Sequence, residues 1–510
     1  MDNAKKTIAK NTVYLYIRSF ISLFIGLYIS RVLLQTLGVE DFGLYGVVGG
    51  IVALLSFVNL AMSSASSRYL TFALAQSNLD YQKKVYSATF YVHLVIALFT
   101  LLIAETIGMW YLCEKLVVPE GRMTAAHWVY QMSILVALIN ITQVPYNAAI
   151  TAHEKMGFSS FWGVVSDILR LLAVLLLFII DADKLIAYSI FIFCVNFITA
   201  VGYRIFCIKH FEECRLVRFK DKQLIKELLS FASFSAFNSF SLVIRNYGTV
   251  ILINKFFGVI MNAAGNVASM VSGNIVGFTQ NVVNAFRPQI VKSYANNNIS
   301  EMQNNINNCS KFCIALYSMI AVPAFIEVSY LLQLWLVEVP LYSNIFCRIN
   351  LIGCLFSLNN MILVIGIQAT SKVKNNSIQI CTLSFVSIVI NFICLILGAN
   401  VFNIFAIAAF TEFCIMCISL RNLKKLVPDF LVKVYFIQFF KVLSVVIISG
   451  AIIYFISALI SASFIRLILT TLAYEILFSL LFYHFMLDIQ TQKMIINNIQ
   501  KKIFNKSPNE

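Results

Sequence analysis

Charge is scarce in this chain. Asp, Glu, Lys and Arg make up 12% of its 510 residues, about half the share of an average soluble domain. So little charge cannot cover a water-facing surface, which excludes a soluble enzyme, a secreted disulfide scaffold and a disordered protein. Motifs that carry chemistry are missing as well. There is no GxxxxGK[ST] phosphate loop, no HExxH and no pair of carboxylates in a polar loop. The polar segments are too short to build a catalytic domain. His93 has no second ligand at metal spacing, and Cys414 and Cys417 form a CxxC inside an apolar run with no second pair. The chain reads as a non-enzyme with no cofactor.

Apolar sequence is what it has instead: 60% of residues are hydrophobic and the mean hydropathy is +0.84. At about 20 residues per crossing, the pattern predicts fourteen spans. They lie near 12–34, 42–62, 88–110, 126–150, 158–180, 185–206, 233–257, 258–286, 308–335, 343–366, 377–398, 402–420, 438–459 and 464–487. The N-terminal stretch lacks a short apolar core followed by a cleavage site, and reads as the start of the first span. The expected fold is an all-α integral membrane protein.

The net charge of +15 does not point to nucleic acid, because the basic residues sit in short loops between apolar runs. Twenty-five Lys and Arg fall in loops on the side of the termini, and five on the other: Lys115, Arg122, Lys184, Lys255 and Arg466. The positive-inside rule then places both termini in the cytoplasm.

Segment 207–232 is basic and amphipathic, and predicts a linker helix on the inner leaflet. The sequence on either side of it repeats. Gly38-Val39 opens the second span and Gly258-Val259 the eighth, and each is followed by an arginine, Arg68 or Arg287. Ala152-His-Glu-Lys155 corresponds to Ala369-Thr-Ser-Lys372, and Ser160 to Ser377, all at offsets of 217 to 220. Duplication predicts two pseudo-symmetric six-helix lobes around a central cavity, 1–206 and 233–421. Two extra C-terminal helices occupy 422–487, and 488–510 is a cytoplasmic tail.

A charge inside a span costs at least about 2.5–3.5 kcal/mol on insertion scales, so each one needs a reason. Arg245 lies at the middle of the seventh span, and Asn238, Ser241 and Thr249 share its face at 100° per residue. Asn262 and Asn266 belong to a matching polar face of the eighth. Two such faces predict a wet cavity; the competing reading is close packing with hydrogen-bonded amides. Arg18 sits about two turns into the first span, facing the cavity or reaching back to the inner surface. Arg31 is expected to pair with Glu40 or Asp41 in the tight loop that follows. Asp167 and Arg170, three apart on the fifth span, can neutralise each other, either as a fixed pair or as a switch in the cavity wall.

Three stretches carry a resemblance. Asn11-Thr-Val-Tyr-Leu-Tyr-Ile-Arg18, Leu37-Gly-Val-Glu-Asp-Phe-Gly43 and Ala61-Met-Ser-Ser-Ala-Ser-Ser-Arg68 resemble the opening of Wzx-type polysaccharide flippases. These are relatives of the MATE multidrug extruders and of the lipid II flippase MurJ. Fourteen spans suit the flippases, whereas the MATE extruders typically have twelve. The resemblance implies two lobes around a cationic cavity in the bacterial inner membrane. It also implies a substrate, an undecaprenyl-pyrophosphate-linked oligosaccharide, moved from the cytoplasmic to the periplasmic leaflet for O-antigen (lipopolysaccharide), capsule or exopolysaccharide synthesis. Membrane lipids, a polysaccharide polymerase and chain-length proteins are the implied partners, and nucleic acid is not. On this reading Arg18 and Arg245 bind phosphate, because guanidinium binds it bidentately and stays charged. Asn238, Ser241, Thr249, Asn262 and Asn266 contact the headgroup beside them. The alternative is a MATE-like, cation-coupled small-molecule extruder, for which acidic cavity residues are expected.

Overall fold

Backbone in hydrocarbon must satisfy its own polar groups, and this chain does so with helices alone among its described residues. The computed structural model describes residues 2–54, 57–75, 78–153, 155–217, 221–370, 372–486 and 492. In chain order the helices are α1 (Asp2–Leu54), α2 (Phe57–Ala75), α3 (Leu79–Ile103), α4 (Met109–Glu114), α5 (Met123–Ala152), α6 (Met156–Leu176) and α7 (Lys184–His210). They continue as α8 (Lys222–Ala295), α9 (Ile299–Ile326), α10 (Val328–Trp335), α11 (Ser343–Ala369), α12 (Lys374–Ile396), α13 (Phe402–Leu426), α14 (Val432–Ala458) and α15 (Phe464–Met486).

Among the described residues, twelve helical stretches are long and apolar enough to cross a membrane, so the chain is a multi-pass membrane protein. Two of the twelve, Phe20–Leu54 and Val243–Tyr294, each contain one glycine with non-helical torsions. These are Gly38 (φ 77°, ψ 174°) and Gly258 (φ 76°, ψ −173°). That region of backbone space is essentially closed to residues with a Cβ, so glycine is what lets each helix turn a corner. Divided at the two corners, the twelve stretches give fourteen helical segments, compatible with the fourteen spans expected from the sequence. The corners also fall at corresponding places in the repeat and have the same backbone shape.

Among the described residues, the segment 207–232 is not one continuous helix. Helix α7 runs on to His210, a short turn follows at Glu212–Cys214, and Lys222 already begins α8. The turn is packed rather than laid on a surface: Phe211 and Cys214 are buried, and the Val217 N–H donates to Ser87 Oγ at 2.9 Å. Basic amphipathic character here belongs to two helix ends and the turn between them.

By contacts the chain forms two units. The first comprises 1–270, 333–346 and 374–411, and the second 271–332, 347–373 and 412–510. In the first, Leu44, Val47 and Val48 pack on Ala126, Val129, Tyr130 and Leu185. A further cluster gathers Tyr86, Tyr146, Cys207, Phe211 and Leu228. The second is built on Ile306, Cys309, Cys313, Leu358, Ile362, Leu423 and Phe439.

Candidate functional site

The glycine corners bring the start of the second span against the start of the eighth. A Cβ on Gly43 would lie 2.1 Å from the Val259 carbonyl oxygen and 3.4 Å from the Ala263 nitrogen. A Cβ on Gly46 would lie 2.0 Å from Asn266 Nδ2, so this amide packs against the α1 backbone. One turn earlier, Asn262 is buried and spans the corner. In the amide orientation that satisfies both ends, it donates to Val250 O and accepts from the Asn254 N–H, each at 3.0 Å. Asn254 in turn clasps both the N–H and the carbonyl of Val117, each at 3.0 Å. Asn262 is thus a brace within its own helix pair, and Asn266 a spacer between spans. The Asn262 amide is committed to the fold rather than turned to a cavity.

Arg18 is half-buried, and its guanidinium occupies the place of a missing side chain on the fifth span: a Cβ on Gly163 would come within 2.4 Å of Arg18 Nε. One turn further along the same two helices, the Ser22 hydroxyl donates to Asp167. Arg18 and Ser22 on α1 therefore face Gly163 and Asp167 on α6. No ion pair joins Asp167 to Arg170 among the described residues. The pair expected from their spacing is replaced by contacts across the helix interface, and Arg170 lies within electrostatic reach of Tyr45 and Tyr188.

Arg245 is half-buried on α8. Its neighbourhood is close-packed: a Cβ on Gly248 would meet Ile388 at 2.5 Å, and one on Gly50 would meet Tyr247 at 3.4 Å. The Thr249 hydroxyl donates to the Arg245 carbonyl at 2.8 Å, bonding back onto its own helix. The side chains of Asn238 and Ser241 lie outside the described residues.

Within the first unit, α1, α3, α5 and α7 enclose a cavity of about 280 Å³ whose polar lining is Tyr45, Thr100, Ser133, Asn140 and Ser189. No acidic side chain lines it.

At the end of the spans away from the termini, Arg122 grips two carboxylates. Its Nε and Nη2 donate to Asp41 at 2.8 and 2.5 Å, and its Nη1 and Nη2 to Asp183 at 2.5 and 3.2 Å. Asp183 also caps α7, accepting from the Leu185 and Ile186 N–H groups at 3.0 and 3.1 Å. Burial alone would raise the Asp183 pKa, but the Arg122 and backbone hydrogen bonds hold it below its usual value. Asp41 is therefore not the partner of Arg31, which instead reaches the Leu334 carbonyl at 3.4 Å. The adjoining Trp335 indole donates to Leu27 O at 2.6 Å.

Three cations inside the spans escaped the sequence reading. Arg204 donates to Thr142 Oγ1 at 2.7 Å, with its guanidinium 5.6 Å from the Tyr146 ring centre. In the second unit, Lys311 and Lys441 line one cavity of about 380 Å³ together with Gln438. The available signal was a cation within an apolar run; nothing in sequence links residue 311 to 441.

Together these features define a class: an all-α, multi-pass membrane protein with the fold common to MATE transporters and the MurJ flippase. A structure of lipid II flippase MurJ in an inward closed conformation is similar with a TM-score of 0.69 at 12% identity. The match covers 93% of this chain and 98% of that one. An inward-facing multidrug resistance MATE transporter of the MOP superfamily gives 0.64 at 11% identity, over 82% and 99%. A MATE structure in a bent conformation gives 0.58 at 11%, over 83% and 96%. The difference in coverage between MurJ and the MATE structures is about the length of α14 and α15 with their connection. No family model and no curated protein sequence matches the chain.

Proposed function

We propose that this protein is a flippase for lipid-linked oligosaccharide. It carries an undecaprenyl-pyrophosphate-linked repeat unit from the cytoplasmic to the periplasmic leaflet of a bacterial inner membrane, with both termini cytoplasmic. The glycan serves O-antigen, capsule or exopolysaccharide synthesis. One observation carries the reading: two half-buried arginines, Arg18 and Arg245, stand inside apolar spans of the first unit, where a cation is costly and suits an anionic cargo. A cation-coupled extruder needs the opposite sign there. The fold adds support, since a lipid II flippase is among the similar structures and matches the chain through nearly all its length.

In this reading Arg245 holds the pyrophosphate, with Asn238, Ser241 and Thr249 on its face, and Arg18 supplies a second cation. Asp167 sets the position of α1 on α6 through Ser22. Guanidinium forks suit the task because they take two phosphate oxygens at once and stay charged at any cellular pH.

The test is surface-polysaccharide complementation with membrane protein levels measured in parallel. Arg245→Ala and Arg245→Glu should abolish export while the protein stays inserted. Arg245→Lys keeps the charge but loses the fork, and should retain partial activity. Full complementation by Arg245→Ala would sink the assignment of this arginine. Gradient-driven efflux of cationic dyes would favour the extruder instead.

A further inference from the structure

The second unit contains an apolar groove of about 650 Å³ that the proposed transport cycle does not use. It lies between α9, α11 and α14, lined by Val322, Phe325, Leu351, Leu355, Ile447 and Phe455 among others. Along α14 it extends from Leu443 to Phe455, about 18 Å at 1.5 Å per residue. One leaflet of a bilayer core is about 15 Å deep. The groove therefore has the length of one leaflet's acyl chains, and it begins where α9 and α14 end and α11 begins.

A cation stands at that end. Arg348 Nε donates to the Phe325 carbonyl at 3.1 Å, and the guanidinium lies 5.5 Å from the Phe325 ring centre. That fixes the side chain beside a residue of the groove wall while its two Nη groups have no partner among the described residues. The nearby acid is already taken: Glu327, buried, accepts from Arg466 Nε and Nη2 at 3.2 and 2.6 Å. A chain-length apolar slot headed by an open guanidinium fork is complementary to an acyl chain joined to a phosphate.

We propose that this groove is a binding site for an anionic phospholipid of the leaflet away from the termini. One acyl chain lies along Phe455, Ile447 and Leu355, and the phosphate rests on Arg348. The site holds a bilayer lipid that wedges α14 against α9 and α11, distinct from the substrate's own polyprenyl chain.

The experiment uses the full-length protein in phosphatidylethanolamine vesicles containing phosphatidylglycerol with a photoactivatable acyl chain, followed by peptide mapping. Label should concentrate on 317–326, 351–356 and 443–455. It should be displaced by unlabelled phosphatidylglycerol and not by phosphatidylcholine. Arg348→Gln should lower it about tenfold, the scale of one lost charged hydrogen bond, and Arg348→Lys should fall between. Ile447→Trp fills the groove and should remove label from Leu355 while labelling of lipid-facing Leu98 and Phe99 on α3 stays unchanged, which separates occupancy from misfolding. Label spread evenly over lipid-facing helices, or unaffected by Arg348→Gln, would overturn the proposal. So would displacement by a polyprenyl phosphate at lower concentration than by phosphatidylglycerol.

Discussion

The Asn266 amide packs against Gly46, the residue that stands 220 positions before it. The same interval separates Gly38 from Gly258, and Gly43 from the Ala263 against which it packs. The second and eighth spans cross there, and the small residues Gly43 and Gly46 permit it. Gly43→Ala should be the harsher change, since its Cβ would strike the Val259 backbone carbonyl, whereas Gly46→Ala strikes only a side-chain amide. Overpacking of this kind costs about 1–3 kcal/mol. Thermal unfolding of the purified variants should follow that order, and Asn266→Ala should rescue Gly46→Ala but not Gly43→Ala. Equal losses without rescue would mean the crossing tolerates a methyl group.

Most of the spans and the matched positions of Gly38 and Gly258 were legible in sequence, because apolar run length and the Gly-Val repeat are local signals. What the corners contact was not. Asp41 finds Arg122 from 81 residues away, while Glu40 and Asp41 looked closer to Arg31 along the chain. The 207–232 pattern covers the end of α7, a packed turn and the start of α8, and periodicity alone cannot tell such a broken stretch from one continuous interfacial helix. The polar face of the eighth span was read from periodicity alone, which cannot tell an amide turned to a cavity from one, like Asn262, that braces a neighbouring backbone. The polar stripe around Arg245 was visible, yet Thr249 spends its hydroxyl on its own helix.

Arg18 fits against α6 only because residue 163 has no side chain. Gly163→Ala should displace the guanidinium and lower export while leaving the charge count unchanged. Arg18→Ala should abolish export and Arg18→Lys, thinner at the contact, should tolerate Gly163→Ala better than the native arginine does. Asp167→Asn keeps an acceptor for Ser22, so it should be milder than Asp167→Ala. Complementation with matched membrane levels measures all five, and an additive, unrescued Gly163→Ala, Arg18→Lys pair would count against the fit.

The Asp41, Arg122 and Asp183 cluster predicts how stability depends on acid. Asp183 is held below its ordinary pKa in the folded protein, so the folded state binds its proton less readily than the unfolded chain. Its contribution is fully present above the unfolded carboxylate range and is lost as pH falls through the lowered folded value. Asp183→Asn should therefore flatten the acid limb of a melting-temperature profile below about pH 4 and change little at pH 7 beyond a constant offset. Arg122→Ala strips both carboxylates of their partner, and should cost about 2 kcal/mol or more at neutral pH. An unaltered acid limb in Asp183→Asn would refute the linkage.

The sign of the cargo carries a consequence for energy. A pyrophosphate diester has about two negative charges, and in an inside-negative cell its outward passage is downhill. At about 2.3 kcal/mol per charge per 100 mV, the potential supplies about 4–5 kcal/mol per cycle if no cation moves with the substrate. The cavity of the first unit, whose polar lining is hydroxyls and one amide among apolar side chains, gives a coupling proton no acid to occupy there. Flipping in sealed vesicles should accelerate when an inside-negative potential is imposed at fixed pH and sodium, and slow when it is reversed. Arg245→Lys should keep that response at a lower rate, because it preserves the charge that escorts the phosphate. Indifference to potential, with strict dependence on a proton or sodium gradient, would require a coupling carboxylate elsewhere in the protein and would return the extruder reading to first place.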